Sequence, residues 1–146
     1  MLTLAIIKPD AVAAGHTGKI LAHLEGAGFA VQAARLLRLS TTQAEAFYAV
    51  HRERPFFRSL VTFMTSGPAL ALALQRDAAV AVLREAIGAT DPAEAKPGTI
   101  RKLYAQSKER NAIHASDSAE NAAREVGFFF PEAELAELSR TGLQLA

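Results

Sequence analysis

The sequence of 146 residues contains no cysteine and carries almost no excess of either charge. Without cysteine, disulfides, thiolate metal sites and thiol catalysis are excluded, and the composition fits a reducing compartment. Lys and Arg number 16 against 15 Asp and Glu, a net charge of +1. Because no global field attracts polyanions, neither nucleic acid nor an anionic membrane is expected as the main partner. An anionic ligand would have to be held by local geometry.

Long apolar runs are also absent. The apolar segment Leu2–Ile7 meets Lys8-Pro9-Asp10 too early for a signal peptide, and no run approaches the roughly 20 residues of a membrane span. We therefore expect a cytoplasmic protein. Half of the residues are hydrophobic, and a chain of this length buries roughly two-thirds of its unfolded surface. No repeat or linker divides it, so we expect one domain over residues 1–146.

The apolar patterns predict that strands and helices alternate. Short apolar runs predict strands at Leu2–Ile7, Phe29–Leu39, Ala69–Leu74 and Ala112–His114, although Ala69–Leu74 also suits a helix. Helical spacing predicts helices after caps at Thr17, Ser40, Asp77 and Asp117, another over Phe56–Met64 and a short one after Glu132. Alternation by itself suggests a parallel α/β sheet, although periodicity does not give strand order.

Two phosphate-binding motifs are approached but not met. Gly15–Lys19 resembles part of a P-loop, but its first glycine would have to stand at Ala13, and Ile20 replaces the required Ser or Thr. Gly26-Ala27-Gly28 begins a dinucleotide fingerprint whose third glycine is replaced by Val31, and it follows a helix instead of a strand. Both motifs are rejected, and the second is a helix stop.

His16 and His23 are considered as metal ligands because they lie about two helical turns apart on one face. No carboxylate stands at ligand spacing beside them, so solvated surface histidines are the better interpretation. Protein-kinase chemistry is not supported either, because the sequence has no HRD or DFG tripeptide.

The most specific segment is Asn111–Ser118, with the sequence Asn-Ala-Ile-His-Ala-Ser-Asp-Ser. A lone histidine beside a helix cap is more often structural than catalytic, but four other segments change that balance. They are Lys8–Val12 directly after a strand, Tyr48 followed by Arg54–Phe57, Ser66-Gly67-Pro68, and the long stretch Gly88–Arg101. In this order and at these separations, from Leu4 to about Phe130, they resemble the nucleoside diphosphate kinase family in its bacterial form.

This resemblance implies an α+β fold: a ferredoxin-like βαββαβ sandwich with a four-stranded antiparallel sheet, extra helices and an inserted loop that lines a nucleotide cleft. It also implies a Mg²⁺-dependent phosphotransferase. The terminal phosphate of a nucleoside triphosphate, usually ATP, would pass to a nucleoside diphosphate by a ping-pong mechanism with broad base and sugar tolerance. The resemblance further implies a homo-oligomer, a tetramer or hexamer built from dimers.

The catalytic residues implied by the resemblance centre on His114. A neutral imidazole is a competent nucleophile, and its unperturbed pKa of about 6.5 leaves much of it neutral at cellular pH. Glu125 matches the glutamate that orients the ring, and Ser116 matches the serine that steadies this glutamate. Tyr48 would stand close to the imidazole, and Lys8 would be part of the same site. By its spacing alone, Glu125 would be a solvent-facing helix residue.

The remaining implied roles concern the nucleotide. Phosphoryl transfer requires cations around the nonbridging oxygens, and the matching phosphate-binding residues are Lys8, Arg84, Arg101 and Thr90. Phe56 would stack on the base, which tolerates every base because each has a π-face, whereas Phe57 suits the core equally well. Lys8 and Asn111 would hold the sugar hydroxyls. Mg²⁺ is expected to arrive on the nucleotide phosphates with no protein ligand.

Two positions depart from the family pattern. Ala115 replaces the glycine that follows the catalytic histidine, and Ala11 replaces a glycine often found after Lys-Pro-Asp. If the first glycine uses positive φ, Ala115 costs on the order of 1 kcal/mol. One rival hypothesis is therefore a nucleotide-binding regulatory protein with impaired turnover. A second is a nucleic-acid-binding module, which the net charge disfavours.

Overall fold

The structure is a computed structural model that describes residues 1–137. Four strands lie at Leu2–Ile7 (β1), Ala30–Leu37 (β2), Ala69–Gln75 (β3) and Ile113–Ala115 (β4). The helices are Pro9–Ala13 (α1), Thr17–Gly26 (α2), Thr41–Phe47 (α3), Phe57–Met64 (α4), Ala79–Ile87 (α5), Ile100–Tyr104 (α6) and Ala119–Phe129 (α7). Ala49–His51 forms one 3₁₀ turn, and residues 132–137 are helical.

The sheet has the strand order β2-β3-β1-β4, and each neighbouring pair is antiparallel. This contradicts the parallel sheet suggested by alternation alone and confirms the antiparallel sheet implied by the resemblance. The physical reason lies in β3. The helical connection does carry β1 to a parallel β2, but β3 inserts between the two strands and runs against both. The alternation of strands and helices in the sequence indicates that a helix connects β1 to β2. It does not show that β3, which comes later in the chain, lies between these two strands.

Apolar layers cover both faces of the sheet, as the alternation of side chains in β1 requires. Leu4 and Ile6 belong to a core formed with α3, α4 and α7. Ala5 and Ile7 belong to a second core formed with α2 and α5 on the opposite face. Because β1 is buried on both faces, its carboxyl end delivers Lys8 into the interior between these helices.

The strand predictions are confirmed within one or two residues, except that Ala112 lies outside β4. Three of the four predicted helix caps are wrong, those at Asp77, Asp117 and Thr17. The helix assigned to an Asp77 cap begins at Ala79, and its N-cap is Ala78 in a left-handed conformation. For α7 the cap is Ser118, whose hydroxyl accepts from the Asn121 N–H. Asp117 instead accepts from the Asn121 side-chain amide at 2.7 Å.

Other helix boundaries also differ from their predicted positions. Thr17 is the first residue of α2, not its cap. Two helices, α1 and α6, were not predicted, because each has five residues and too little length to show periodicity. The predicted tail helix is confirmed at residues 132–137, and its remainder lies outside the described residues. Over residues 1–137, no helix is long and apolar enough to cross a membrane.

The capping box at Ser40 tests how far local signals stabilise this fold. The Ser40 hydroxyl accepts from the Gln43 N–H at 3.1 Å, and the Gln43 side chain accepts from the Ser40 N–H at 2.9 Å. We expect Ser40→Ala to lower the free energy of unfolding by about 1 kcal/mol, measured by urea denaturation. Thr42→Ala, at an exposed position inside α3, is the matched control and leaves stability nearly unchanged. Equal losses in the two variants would contradict this account.

Candidate active site

A cleft of about 880 Å³ lies beside the carboxyl end of β1 and receives side chains from most of the chain. Of the ten residues to which the sequence assigns a role, all but Ser116 line it: Lys8, Tyr48, Phe56, Arg84, Thr90, Arg101, Asn111, His114 and Glu125. Ser116 is fully buried behind this wall. The fold therefore brings the whole predicted set together around one space.

His114 is held at the back of the cleft by a carboxylate. It lies in β4, paired with Ile6, while Glu125 is on the buried side of α7. The His114 Nε2 and Glu125 Oε1 atoms are 2.7 Å apart, and the Ser116 hydroxyl donates to the same Oε1 at 2.7 Å. Glu125 is therefore no solvent-facing residue, contrary to its reading by spacing alone.

This hydrogen bond determines which ring nitrogen is free to react. An ionised carboxylate only accepts hydrogen bonds, so Nε2 carries the proton and Nδ1 keeps its lone pair. Burial lowers the pKa of His114 below 6.5, while Glu125 opposes this shift. Burial also acts to raise the pKa of Glu125, but the hydrogen bond and charge of His114, with the Ser116 hydroxyl, lower it overall. Near neutral pH the pair is a neutral imidazole bonded to a carboxylate.

Two buried cations face the same cleft. The Lys8 ammonium donates to the Asn111 Oδ1 at 2.8 Å. Arg101 donates to the carbonyl oxygens of Gly88 at 3.1 Å and Ile113 at 2.8 Å. The approach to Gly88 needs glycine: its φ is 88°, and a Cβ there would lie 2.6 Å from the Thr99 hydroxyl. Because these partners are neutral oxygens, the positive charges remain available to an anion.

The charge state of both cations reflects their burial and their proximity. Burial and the nearby Arg101 lower the pKa of Lys8 to about 8, against the opposing effects of Asp10 and Glu109. Burial and Arg84 lower the pKa of Arg101 to about 10. Both groups are positive at neutral pH, but Lys8 is close to its titration range.

Asn111 and Arg84 connect the remaining parts of the wall. The Asn111 amide donates to the Lys108 carbonyl at 3.0 Å and approaches that of Thr90 at 3.4 Å. Arg84 is exposed in the cleft and donates to the Ala115 carbonyl at 3.3 Å. Asn111 therefore links Lys8 to the loop that carries Thr90, while Arg84 remains open to a ligand.

The aromatic residues divide between core and cleft. Phe57 is buried, whereas Phe56 is 46% exposed at the start of α4. The Tyr48 ring stands edge-on to the His114 ring with centroids 6.1 Å apart, and burial raises the pKa of its hydroxyl. Phe56 thus borders the cleft with the His51 ring 5.4 Å away, and its stacking on a base stays a prediction.

The backbone strain expected at Ala115 is absent. Ala115 lies in β4 and pairs with Ala5. Among residues 1–137, the non-glycine residues with positive φ are Ala78 and Ala112, at 51° and 73°. The substitution of the family glycine at position 115 therefore requires no left-handed backbone, and the strain that would have impaired turnover does not arise there.

The interpretation of His16 and His23 as solvated surface residues holds only in part, because both are half-buried and contact other residues. The His16 ring packs against Tyr104 with centroids 4.9 Å apart. The His23 Nε2 atom lies 2.8 Å from the Gly98 carbonyl oxygen, so it fastens the long loop to α2. In the described part of the chain, no three His, Asp or Glu residues cluster as a metal site would require.

Comparison with known proteins identifies the family. The family model described as nucleoside diphosphate kinase matches residues 2–135. The chain belongs to the nucleoside diphosphate kinase family. It is 56% identical to the nucleoside diphosphate kinase of Legionella pneumophila (strain Paris) over 134 residues, or 92% of this chain and 95% of that one. It is 57% identical to that of Bordetella petrii over 130 residues, 89% and 92% of the two chains.

Solved structures of this family have the same fold. The Aquifex aeolicus nucleoside diphosphate kinase superposes with a TM-score of 0.89 at 46% identity, covering 91% of this chain and 96% of that one. A nucleoside diphosphate kinase from Halobacterium salinarum, solved in complex with CDP, gives 0.88 at 37% identity, with 92% and 90% covered. The ferredoxin-like α+β fold is confirmed.

Sequence reasoning missed part of the cleft wall. The additional lining residues are Phe47, Ala49, Val50, His51, Leu60, Lys108, Glu109, Ala115, Asp117, Asn121 and Arg124. Asp117 stands inside the histidine motif and Lys108 and Glu109 just before it, so their position was a usable signal. No pattern indicates Val50 or His51, which reach the cleft through the 3₁₀ turn after α3.

Replacing the Glu125 carboxylate tests its effect on the histidine. We expect Glu125→Gln to lower the pKa of His114 further, because the negative charge that opposes the effect of burial is removed. An NMR titration of the ring nitrogens measures this pKa. Glu120→Gln, an exposed change on the same helix, is the control and leaves it unchanged. A His114 pKa that stays constant or rises in Glu125→Gln would contradict the assigned interaction.

Proposed function

We propose that this protein transfers the terminal phosphate of a nucleoside triphosphate to a nucleoside diphosphate, with His114 as the phosphate carrier. The observation that carries the proposal is the hydrogen-bonded series Ser116–Glu125–His114 facing a cleft with buried cations. An imidazole with a lone pair on one nitrogen and a carboxylate on the other is suited to nucleophilic attack. Family membership supports the same reaction.

The first half-reaction follows from the tautomer. The Nδ1 lone pair of His114 attacks the terminal phosphorus, an N–P bond forms, and the P–O bond to the leaving diphosphate breaks with its electrons on oxygen. The ring becomes positively charged, and the Glu125 carboxylate at 2.7 Å from Nε2 stabilises that charge. In the second half-reaction an oxygen of the acceptor diphosphate attacks the same phosphorus, the N–P bond breaks, and the neutral imidazole returns.

The other residues bind and orient the nucleotide. Lys8, Arg84 and Arg101 supply positive charge to the phosphates, with the Thr90 hydroxyl as a further donor. Phe56 offers its exposed face to the base, and its lack of hydrogen-bonding groups predicts broad base tolerance. Asn111 and Lys8 would contact the sugar. Ser116 acts through Glu125, and Tyr48 borders the imidazole.

Mg²⁺ is proposed to enter with the nucleotide. The cleft is lined by the cations Lys8, Arg84 and Arg101, and its carboxylates Glu109, Asp117 and Glu125 already accept hydrogen bonds from other side chains. The nucleotide phosphates themselves would therefore hold the ion. When bound, Mg²⁺ would neutralise phosphate charge and fix the phosphate geometry. No protein ligand is assigned to it.

Three broader expectations also stay proposals. A homo-oligomer, a tetramer or hexamer built from dimers, is supported by the resemblance and by the exposed apolar residues Val31 and Leu36 on the edge strand β2. The assignment of residues 1–146 to one domain is supported by the single sheet that both cores share. A cytoplasmic location is supported by the absence of cysteine.

A phosphoenzyme assay tests the proposed carrier. Incubation with γ-labelled ATP and Mg²⁺ should give acid-labile, base-stable label on the protein, and a nucleoside diphosphate chase should remove it. We expect His114→Ala to abolish this label because no other nucleophile is proposed. His23→Gln, which keeps a donor for the Gly98 carbonyl, is the matched control and should label like wild type. Unlabelled wild type that still binds nucleotide would favour the regulatory alternative instead.

The pH dependence of kcat/KM tests the role of Lys8. The Lys8 pKa is lowered to about 8, so the ammonium is charged below that pH and neutral above it. We expect kcat/KM, which reports the free enzyme, to fall above about pH 8. In Lys8→Arg the guanidinium stays protonated, so the alkaline decline should move to higher pH even if the rate is lower. An unmoved decline would assign it to another group.

A further inference from the structure

The chain adopts a strained turn two residues before His114. Ala112 has a φ of 73°. The Ile113 N–H donates to the Asn111 carbonyl at 2.9 Å, which makes residues 111–113 a γ-turn centred on Ala112. A residue with a Cβ rarely takes positive φ, and such strain persists only where the surrounding structure enforces it. The groups that enforce this turn therefore help to fix the start of β4.

Two hydrogen bonds from the start of α1 hold the turn, one from its N-cap Lys8 and one from Asp10. The Lys8 N–H donates to the Ala112 carbonyl at 2.9 Å. The Ala112 N–H donates to the Asp10 Oδ2 at 3.1 Å in a buried setting. Both backbone polar groups of Ala112 are thus bonded to residues about a hundred positions earlier. Only the second of these bonds depends on a side chain, which makes Asp10 the replaceable part of the clamp.

We propose that Asp10 is a positioning residue for His114, acting through the Ala112 turn. This inference rests on the proposed function, because it concerns where the phosphoryl acceptor lies. Asp10 is buried and is not among the described residues that line the cleft, so it would not touch the nucleotide. Its effect is transmitted through the backbone from Ala112 to His114.

Loss of the Asp10 carboxylate would release the turn. A buried N–H without a partner is costly, so Ala112 would relax toward negative φ to reach another acceptor. The peptides on both sides of Ala112 would then rotate. Asn111, which accepts from the Lys8 ammonium at 2.8 Å, and His114 would both move. A displacement of about 1 Å at a reacting group costs up to about a hundredfold in rate.

Asp10 also affects Lys8 through its charge, since it opposes the lowering of the Lys8 pKa. The test must therefore separate the hydrogen bond from the charge. Asp10→Asn removes the charge but keeps an amide oxygen that can accept from the Ala112 N–H. Asp10→Ala removes both. Ala112→Gly allows positive φ without a side-chain clash, so it supports the turn without Asp10.

The experiment measures the single-turnover rate of His114 phosphorylation by γ-labelled ATP. We expect Asp10→Ala to slow this step about ten- to a hundredfold, and Asp10→Asn to slow it clearly less. When Ala112→Gly is also present, Asp10→Ala should reduce the phosphorylation rate only a few-fold. Asp77→Asn, an exposed change of the same charge, is the control. Thermal melts of each variant establish that it is folded.

Three results would overturn the proposal: no slowing in Asp10→Ala, equal slowing in Asp10→Asn and Asp10→Ala, or the same loss in both backgrounds. If Asp10→Ala alone does not fold, the double variant with Ala112→Gly decides, because the proposal requires it to fold and to phosphorylate His114. A wild type that takes no label contradicts the proposed function. A labelled wild type with an equally fast Asp10→Ala variant contradicts only the role of Asp10.

Discussion

One carboxylate oxygen, Glu125 Oε1, organises the chemistry of the cleft, because it accepts hydrogen bonds from both His114 and Ser116. Glu125 reaches this position only if α7 is in the right helical phase. Ser118 caps that helix and fixes its first residue, which determines the side of the helix on which each later residue lies. Ala122, Val126 and Phe129 are buried on the same side as Glu125. The apolar packing of α7 against β1 thus places the Glu125 carboxylate beside the His114 imidazole.

The cations impose a second constraint, since burying Lys8 and Arg101 is costly in the absence of an anion. Their hydrogen-bond partners, the Asn111 side chain and the carbonyls of Gly88 and Ile113, are neutral. Neutral oxygens satisfy the donors without cancelling the charge. Asp10 and Glu109 oppose the lowering of the Lys8 pKa, so the site keeps its positive field at neutral pH. Lys8 and Arg101 are already buried before a phosphate chain enters the cleft, so binding would remove little further water from these two cations.

The sequence predicted the cleft better than the path of the backbone. Chemistry restricts residue types at fixed separations, so the motifs that carry the family resemblance indicated His114 and Arg101, and the resemblance itself supplied Glu125. The fold brings the three residues to one cleft. The sequence did not indicate α1 or α6, which are too short for periodicity, nor the insertion of β3 between β1 and β2. The Asp10 to Ala112 hydrogen bond spans 102 residues. No local pattern reports a contact of that kind, and only the family resemblance supplied the antiparallel sheet.

The strained backbone lies at Ala112 and not at Ala115, which changes the expected effect of having alanine at position 115. A glycine after His114 would be essential if the backbone there had positive φ, but Ala115 is in β4 and the residue with positive φ near His114 is Ala112. Residue choice at 115 is therefore limited by space and not by conformation. Its carbonyl still receives the Arg84 guanidinium at 3.3 Å, and its methyl group belongs to the buried core under the sheet. The unusual backbone geometry occurs before His114, at Ala112, where Lys8 and Asp10 hold the chain. The segment that supplies the buried cation Lys8 therefore also holds the turn that leads to His114, the proposed phosphate carrier.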